Sequence, residues 1–539
     1  MPAKKILFRA EAREKVLRGS EILADTVRGT LGPRAHSVLI ARKWGRPQVC
    51  DDGVTIVKEV VLEDPVMDLG AQAIKEAAER TGDVVGDGTT TSTLLAHAIF
   101  AEGVKNVAAG AAAVDLKQGV ERGLRRAVDA LAELSRPVSG RTEQAQVATI
   151  SAHGVSAIGD LVADAIGRVG PEGVITVEEA KSIETVLDVV EGMQFDRGYL
   201  SPYFVTDSEK MEAVLEDPLI LLRDRRITVM SELLPLLEQV ARQGRPLLVV
   251  AEDVEGEALA TLVVNRMRGT LASLAVKAPG FGDRRKEMLR DLAILTGARL
   301  VSEDVGLTLE NVDPADLGSA RRVVATRDET TVIGGGGSKE AIEGRCRELR
   351  TRIESSTSDY DREKLEERLA KLSGGIAVIR AGGPSETEMK VRKDAFEDAI
   401  SATKAAAAEG VVPGGGLALL RAAPALEEEA ASAEGDVRTG ILILRRALEV
   451  PARQIADNSG VDGGVAVDRM MSASGAVGFD ASRNEYTDLL EAGILDPTKV
   501  VRVALENAVS VATVLLLANA TMTEVEEREP EREGEATLY

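Results

Sequence analysis

A chain of 539 residues with a formal net charge of −22 is too acidic to have nucleic acid as its main partner. Apolar residues make up 44% of it and aromatic residues only 2%, so large cores are possible but Ala, Val and Leu must fill them. Cys50, Cys346 and three scattered histidines show no metal-ligand spacing, which argues against a zinc site or disulfide framework and fits a reducing compartment.

At about 150 residues per domain the length allows three or four domains. The opening Met1-Pro2-Ala3-Lys4-Lys5-Ile6 has no signal-peptide pattern. The longest strongly apolar stretch, 509–520, is too short to span a bilayer and reads as a buried helix. These features predict a soluble, cytoplasmic protein with no membrane contact.

Residues 9–28 read as an amphipathic helix with Val16, Ile22, Leu23 and Val27 on or near one face. It runs into Gly29-Thr30-Leu31-Gly32-Pro33, which is either an ordinary helix stop or a loop offering a hydroxyl and free backbone groups. Residues 38–40 form a short strand, and 49–57 read as two strands joined by a turn at Asp52-Gly53. Helices dominate from Asp68 to about Leu134, and Pro137 ends the pattern.

Within that helical region lies Gly86-Asp87-Gly88-Thr89-Thr90-Thr91, followed by an apolar run from Ser92 to Phe100 with helical spacing. The motif therefore sits where a loop opens a helix. There the first backbone N–H groups lack internal partners and the dipole favours an anion. Glycines allow close backbone approach, hydroxyls add donors, and Asp87 can hold a divalent metal. That is the chemistry of a polyphosphate–magnesium site. The hexapeptide alone reads equally well as a turn with threonine capping.

Beyond Pro137 the texture changes. Residues 141–170 are helical, while 173–177 and 185–190 alternate like strands. From Gly192 to Gly375 short apolar strands at 219–222, 246–250 and 275–276 alternate with helices at 231–242 and 255–268. This is α/β texture inside an otherwise helical chain. Residues 339–372 form a charged helical hairpin, and 385–409 and most of 410–523 return to helix. The tail from Glu524 to Tyr539 is rich in Glu and reads as disordered. Pro137, Gly192, Gly375 and Gly410 are candidate hinges or plain turns. The helices at 231–242 and 255–268 carry apolar residues on more than one face. They are either buried on both sides or form an exposed aliphatic groove for other apolar chains.

Taken together, the sequence resembles the bacterial group I chaperonins of the GroEL type from Ala3 to about Thr523. The motifs that carry the resemblance include Thr30-Leu31-Gly32-Pro33, Gly86 to Thr91, the run from Gly192 to Phe204, and Lys277 to Arg285. Glu397-Asp398-Ala399, Gly414-Gly415-Gly416 and Gly493 to Thr498 complete the set.

The resemblance implies a multi-domain α plus α/β fold. A mainly helical equatorial ATP-binding domain would take 1–136 and 410–523, and a small intermediate domain 137–191 and 375–409. An apical α/β domain at 192–374 would be inserted centrally, and 524–539 would be an acidic tail. It implies an ATPase using Mg²⁺ and K⁺, seven-subunit rings stacked in pairs, non-native polypeptide clients and a GroES-type co-chaperonin. By the same resemblance Thr30, Leu31, Gly32, Pro33, Asp87, Gly88, Thr89, Thr90 and Thr91 wrap the phosphates, and Asp87 holds Mg²⁺. Thr30 and the backbone at Asp51 meet K⁺. Asp398 activates water with Asp52 nearby, and Gly415, Asp480, Ala481, Ser482 and Asp496 face the nucleoside. Tyr199, Tyr203, Phe204, Leu234, Leu237, Leu259, Val263 and Val264 would form the apical groove. No Walker lysine motif is present, and the glycine run 334–337 reads as a loop.

Three features depart from the family pattern: Asp51 in place of Lys or Asn, Asp480 in place of Asn, and an acidic tail in place of a Gly- and Met-rich one. The competing expectation is a divergent paralogue that binds polypeptide as a scaffold with weak or no ATPase activity.

Overall fold

The computed structural model describes residues 3–42, 47–138, 140–152, 154–170, 173–180, 182–208, 210–303, 306–356 and 358–524. The acidic tail beyond Glu524 lies outside the described residues. The fold is mixed α/β and mostly helical, with several small sheets. It divides into two compact units, one from Met1–Ala163 with Asp394–Tyr539 and the other from Asp164–Lys393. The divisions fall inside the helices Ser156–Val169 and Glu386–Glu409, within the segments expected to form an intermediate part.

The first unit joins both ends of the chain. Its helices Arg9–Arg28, Pro65–Val85, Thr89–Ala108 and Ala113–Leu134 pack with Leu417–Ala431, Gly435–Ala447 and Thr498–Leu517. With so few aromatics the helices must come close to exclude water. A Cβ on Gly19 would lie 1.8 Å from the Met67 carbonyl oxygen, and one on Gly70 would lie 2.0 Å from that of Val16. The first two helices therefore touch backbone to backbone, which only glycine permits.

The apolar stretch near the C-terminus forms the helix Thr498–Leu517, longer than the run 509–520 suggested. Its length and composition would suffice to cross a membrane, but most of its apolar side chains are buried among the surrounding helices. Beyond it Ala520–Glu524 pairs antiparallel with Lys4–Phe8, from Lys4 opposite Glu524 to Phe8 opposite Ala520.

One expected element changes type. Gln48–Cys50 is a strand paired with Val38–Ile40, but Gly53–Glu59 is a helix rather than a second strand. Asp52 decides the matter as its N-cap. Its carboxylate accepts from the N–H of Val54 at 3.2 Å and of Thr55 at 2.9 Å. The β-branched run Val54-Thr55-Ile56-Val57 hides that signal, because its intrinsic preference is for strand.

The second unit holds an eight-stranded sheet. Ser273–Lys277, Leu247–Ala251, Leu219–Arg223 and the short Leu300–Val301 run parallel. Gly318–Ala325, Thr330–Gly335, Gly192–Phe195 and Ala213–Glu216 extend it antiparallel. The central strands are buried on both faces, as parallel strands between helices must be. Val174–Glu179, Ile376–Ala381 and Val186–Val190 form a separate three-stranded sheet. The charged hairpin is present as Lys339–Ser355 and Asp359–Ser373. Arg345 and Arg368 each reach Asp291 at 2.8 Å beneath it.

Candidate functional site

The first unit encloses a cavity of about 420 Å³. Every residue expected at the nucleotide lines it: Thr30 to Pro33, Asp51, Asp52, Asp87 to Thr91, Asp398, Gly415, Asp480 to Ser482 and Asp496.

The glycine–threonine motif takes the geometry its sequence calls for. The helix Pro65–Val85 ends at Gly86, and the helix Thr89–Ala108 begins at Gly88, both glycines having positive φ of 68° and 77°. A Cβ on Gly86 would lie 2.5 Å from that of Ser401, and one on Gly88 would lie 2.8 Å from Cγ1 of Val500. Asp87 is held between these two turns. Its Oδ1 accepts from the Gly88 N–H at 2.5 Å and its Oδ2 from the Ser151 hydroxyl at 2.9 Å. No side chain caps Thr89–Ala108, so its first amides remain available to a ligand. Thr30 lies alongside, its Oγ1 3.2 Å from that of Thr90. The Asn458 amide donates to the carbonyls of Arg28 and Leu31, each at 2.8 Å, and pins the Thr30 loop.

Several helix N-termini converge on the cavity. Gly53, Gly88, Gly416 and Pro497 stand at the starts of four helices, and all line it. Their dipoles present positive ends to one space. Six carboxylates line the same space: Asp51, Asp52, Asp87, Asp398, Asp480 and Asp496. Among the described lining residues there is no Lys, Arg or His. Also among the described residues, no group of three or more His, Cys, Asp or Glu is arranged to hold a metal unaided. Such a site suits a polyanion that brings cations with it, since its own oxygens would complete the metal's coordination.

The electrostatics agree. Loss of water raises Asp398 well above the usual carboxylate range, and the neighbouring charges of Asp87 and Asp52 add to the effect. Loss of water likewise raises Asp496 to about 7, with Asp87 contributing. Both side chains keep some surface open to the cavity although they are set deep among protein atoms. A cation beside Asp87 would reduce both shifts.

Asp480 is neither free nor turned to solvent. Its Oδ1 accepts from the Ser482 N–H at 2.9 Å and the Ser482 hydroxyl at 2.6 Å, forming a turn at the cavity wall. Three residues absent from the sequence reading also matter here. Ser151 orients Asp87, Arg34 donates to the Ser482 carbonyl at 3.0 Å, and Phe479 lines the wall. The partners of Ser151 and Arg34 are remote in sequence, so no local motif announces them.

The eight residues expected in an apical groove lie in the second unit and separate by burial. Tyr203, Leu234 and Val264 are 66%, 46% and 41% exposed. Tyr199, Leu259 and Val263 are half-buried against the core. Phe204 and Leu237, at 0% and 5%, belong to the core itself, where they pack under the sheet and its helices. The surplus apolar pattern of the two helices thus has both causes, packing for some residues and exposure for others. Met267 and Phe281, at the surface of the same unit, were not anticipated.

A family model described as the TCP-1/cpn60 chaperonin family matches residues 23–526. Chaperonin GroEL 5 of Bradyrhizobium diazoefficiens is 63% identical over 538 residues, spanning 100% of this chain and 99% of that protein.

Proposed function

This chain belongs to the TCP-1/cpn60 chaperonin family, and from that premise and the cavity we propose that it is a GroEL-type ATPase that assists protein folding with a co-chaperonin. The observation that carries the ATP reading is the cavity itself: four helix N-termini, six carboxylates and no cationic side chain among its described lining residues. A nucleotide triphosphate arriving with metal ions satisfies both sets of charges.

In this reading the amides of Thr89, Thr90 and Thr91 and the Thr30–Pro33 loop hold the phosphates. Asp87 would hold Mg²⁺, and Thr30 with the backbone of Asp51 would meet K⁺. Bound Mg²⁺ supplies charge neutralisation at the phosphate oxygens. Asp398 takes the proton of the attacking water. Its proton affinity, raised by burial and by the neighbouring carboxylates, makes it a stronger base than a solvated carboxylate. Asp52 has a different first task, capping the Gly53–Glu59 helix, and contributes its charge to Asp398 from there. Gly415, Asp480, Ala481, Ser482 and Asp496 form the nucleoside side of the cavity.

The remaining layout follows the family. Residues 1–136 and 410–523 act as the equatorial domain, 137–191 and 375–409 as the intermediate domain, and 192–374 as the apical domain. Seven-subunit rings, stacked in pairs and working in the cytoplasm, go with it. Tyr203, Leu234 and Val264, with half-buried Tyr199, Leu259 and Val263, offer apolar surface to non-native polypeptide and then to a GroES-type co-chaperonin. ATP shifts the balance between capture and release by binding one conformation more tightly than the other.

Capture of a chemically unfolded, labelled polypeptide tests this function. The assembled protein should hold it without nucleotide, and MgATP with a co-chaperonin should release it in folded form. Failure to capture, or release indifferent to ATP, would overturn the proposal.

A further inference from the structure

The nucleoside side of the cavity is a hairpin of two short strands, Val477–Asp480 paired with Glu485–Asp488. An isolated pair of this size is marginally stable, so something else must fix its position. Two arginines do so. Arg421 lies on the helix Leu417–Ala431, whose N-terminal residues Ala418 and Leu419 line the cavity. Its Nε donates to the Gly475 carbonyl at 2.7 Å, Nη1 to that of Met470 at 2.9 Å, and Nη2 to that of Val477 at 2.9 Å. One planar fork thereby ties a cavity helix to the end of the helix Gly463–Ser472, to the turn after it, and to the first residue of the hairpin. Arg469 acts from the other side. Its guanidinium lies 3.9 Å from the centre of the Tyr486 ring, which packs 5.3 Å from cavity-lining Phe479.

The three groups that accept from Arg421 are neutral carbonyls. The side chain therefore works through the geometry of its fork, which an ammonium group cannot reproduce. These hydrogen bonds all go to residues 470–477 and none to Thr30–Pro33 or Asp87–Thr91.

We propose that Arg421 is a positioning residue for the nucleoside end of ATP: it fixes the Phe479–Ser482 wall at the distance from Gly415 and Gly416 that a nucleoside requires. The proposal rests on the reading of the cavity as an ATP site.

Arg421→Gln and Arg421→Lys test it, with calorimetric binding of MgATP and of magnesium tripolyphosphate, steady-state kinetics and thermal unfolding. Both variants should bind ATP about tenfold more weakly and raise KM by a similar factor, the worth of a lost charged hydrogen bond. Tripolyphosphate affinity and kcat should stay within about twofold of the wild type. Arg421→Lys keeps the length and charge of the side chain, so it reports even if Arg421→Gln does not fold. Wild-type ATP affinity in Arg421→Lys, or equal weakening of both ligands, would overturn the inference. Binding of neither ligand by the wild-type protein would instead overturn the reading of the cavity.

Discussion

At the scale of single residues, the proposed site separates binding from chemistry. Asp398→Ala should bind ATP within a few-fold of the wild type yet release phosphate about 10²–10⁴ times more slowly, the usual worth of a positioned general base. Calorimetry with a phosphate-release assay checks this, and unchanged turnover would remove Asp398 from the chemistry. Gly88→Ala should destabilise the subunit by about 1–3 kcal/mol, because the residue has positive φ and its Cβ would press on Val500. Thermal unfolding measures that cost. With ATP in the cavity the Asp480 carboxylate would face a polyanion, while its Oδ1 serves the Ser482 turn. Asp480→Asn keeps an acceptor for the turn and removes the charge. It should tighten ATP binding at low salt by on the order of 1 kcal/mol and by less at high salt. The same affinity for both proteins across a salt series would contradict the repulsion.

The turn at Gly86 to Gly88 ahead of a helix was legible in the sequence because it is local, two glycines setting the backbone where the helix begins. The choice of a phosphate role for this run over plain capping, and that role for Thr30 to Pro33, came only from the family resemblance. Ser151 and Arg421 were not legible, because each acts on a segment more than fifty residues away, and serine or arginine on a helix carries no local mark of such a partner.

At the scale of elements, the error at 53–59 shows how a cap overrides propensity. Asp52→Ala should cost about 1 kcal/mol of stability through loss of the helix cap, read by denaturant unfolding. The helices Met230–Gln243 and Gly256–Met267 show the converse limit. Their apolar excess was visible, but which side chains meet solvent depends on the packing of the sheet beneath. Leu234→Glu and Val264→Glu should abolish polypeptide capture with little change in thermal midpoint, whereas Leu237→Glu should unfold the second unit. Capture lost only together with stability in all three would make these helices purely structural.

The charge cluster under the helical hairpin gives the second unit an acid sensitivity. Burial alone would raise Glu287, but hydrogen bonds from Arg352 and Arg345 outweigh it and bring the carboxyl down to about 2. A depressed folded-state pKa stabilises above the ordinary glutamate value of 4.5 and loses that stabilisation as pH falls toward 2. Glu287→Gln should therefore flatten the pH dependence of unfolding between those limits, followed by circular dichroism.

At the scale of the whole molecule, composition and function meet in the packing. A chain with few aromatics builds its first unit from close-packed helices, with glycines at the contacts and the two chain ends paired as strands. That unit surrounds the cavity proposed for ATP, which among its described lining residues has no basic side chain, so nucleotide chemistry there should depend on metal ions throughout. The second unit displays apolar side chains on two neighbouring helices. In the proposed cycle the first unit hydrolyses ATP to drive release from the second.

Steady-state phosphate release by the assembled protein, with and without a GroES-type co-chaperonin, tests this coupling. Turnover should require both Mg²⁺ and K⁺, change in rate when the co-chaperonin binds, and nearly vanish in Asp398→Ala. Absence of turnover above the Asp398→Ala background, with polypeptide still captured, would contradict it and identify the protein as a binding scaffold.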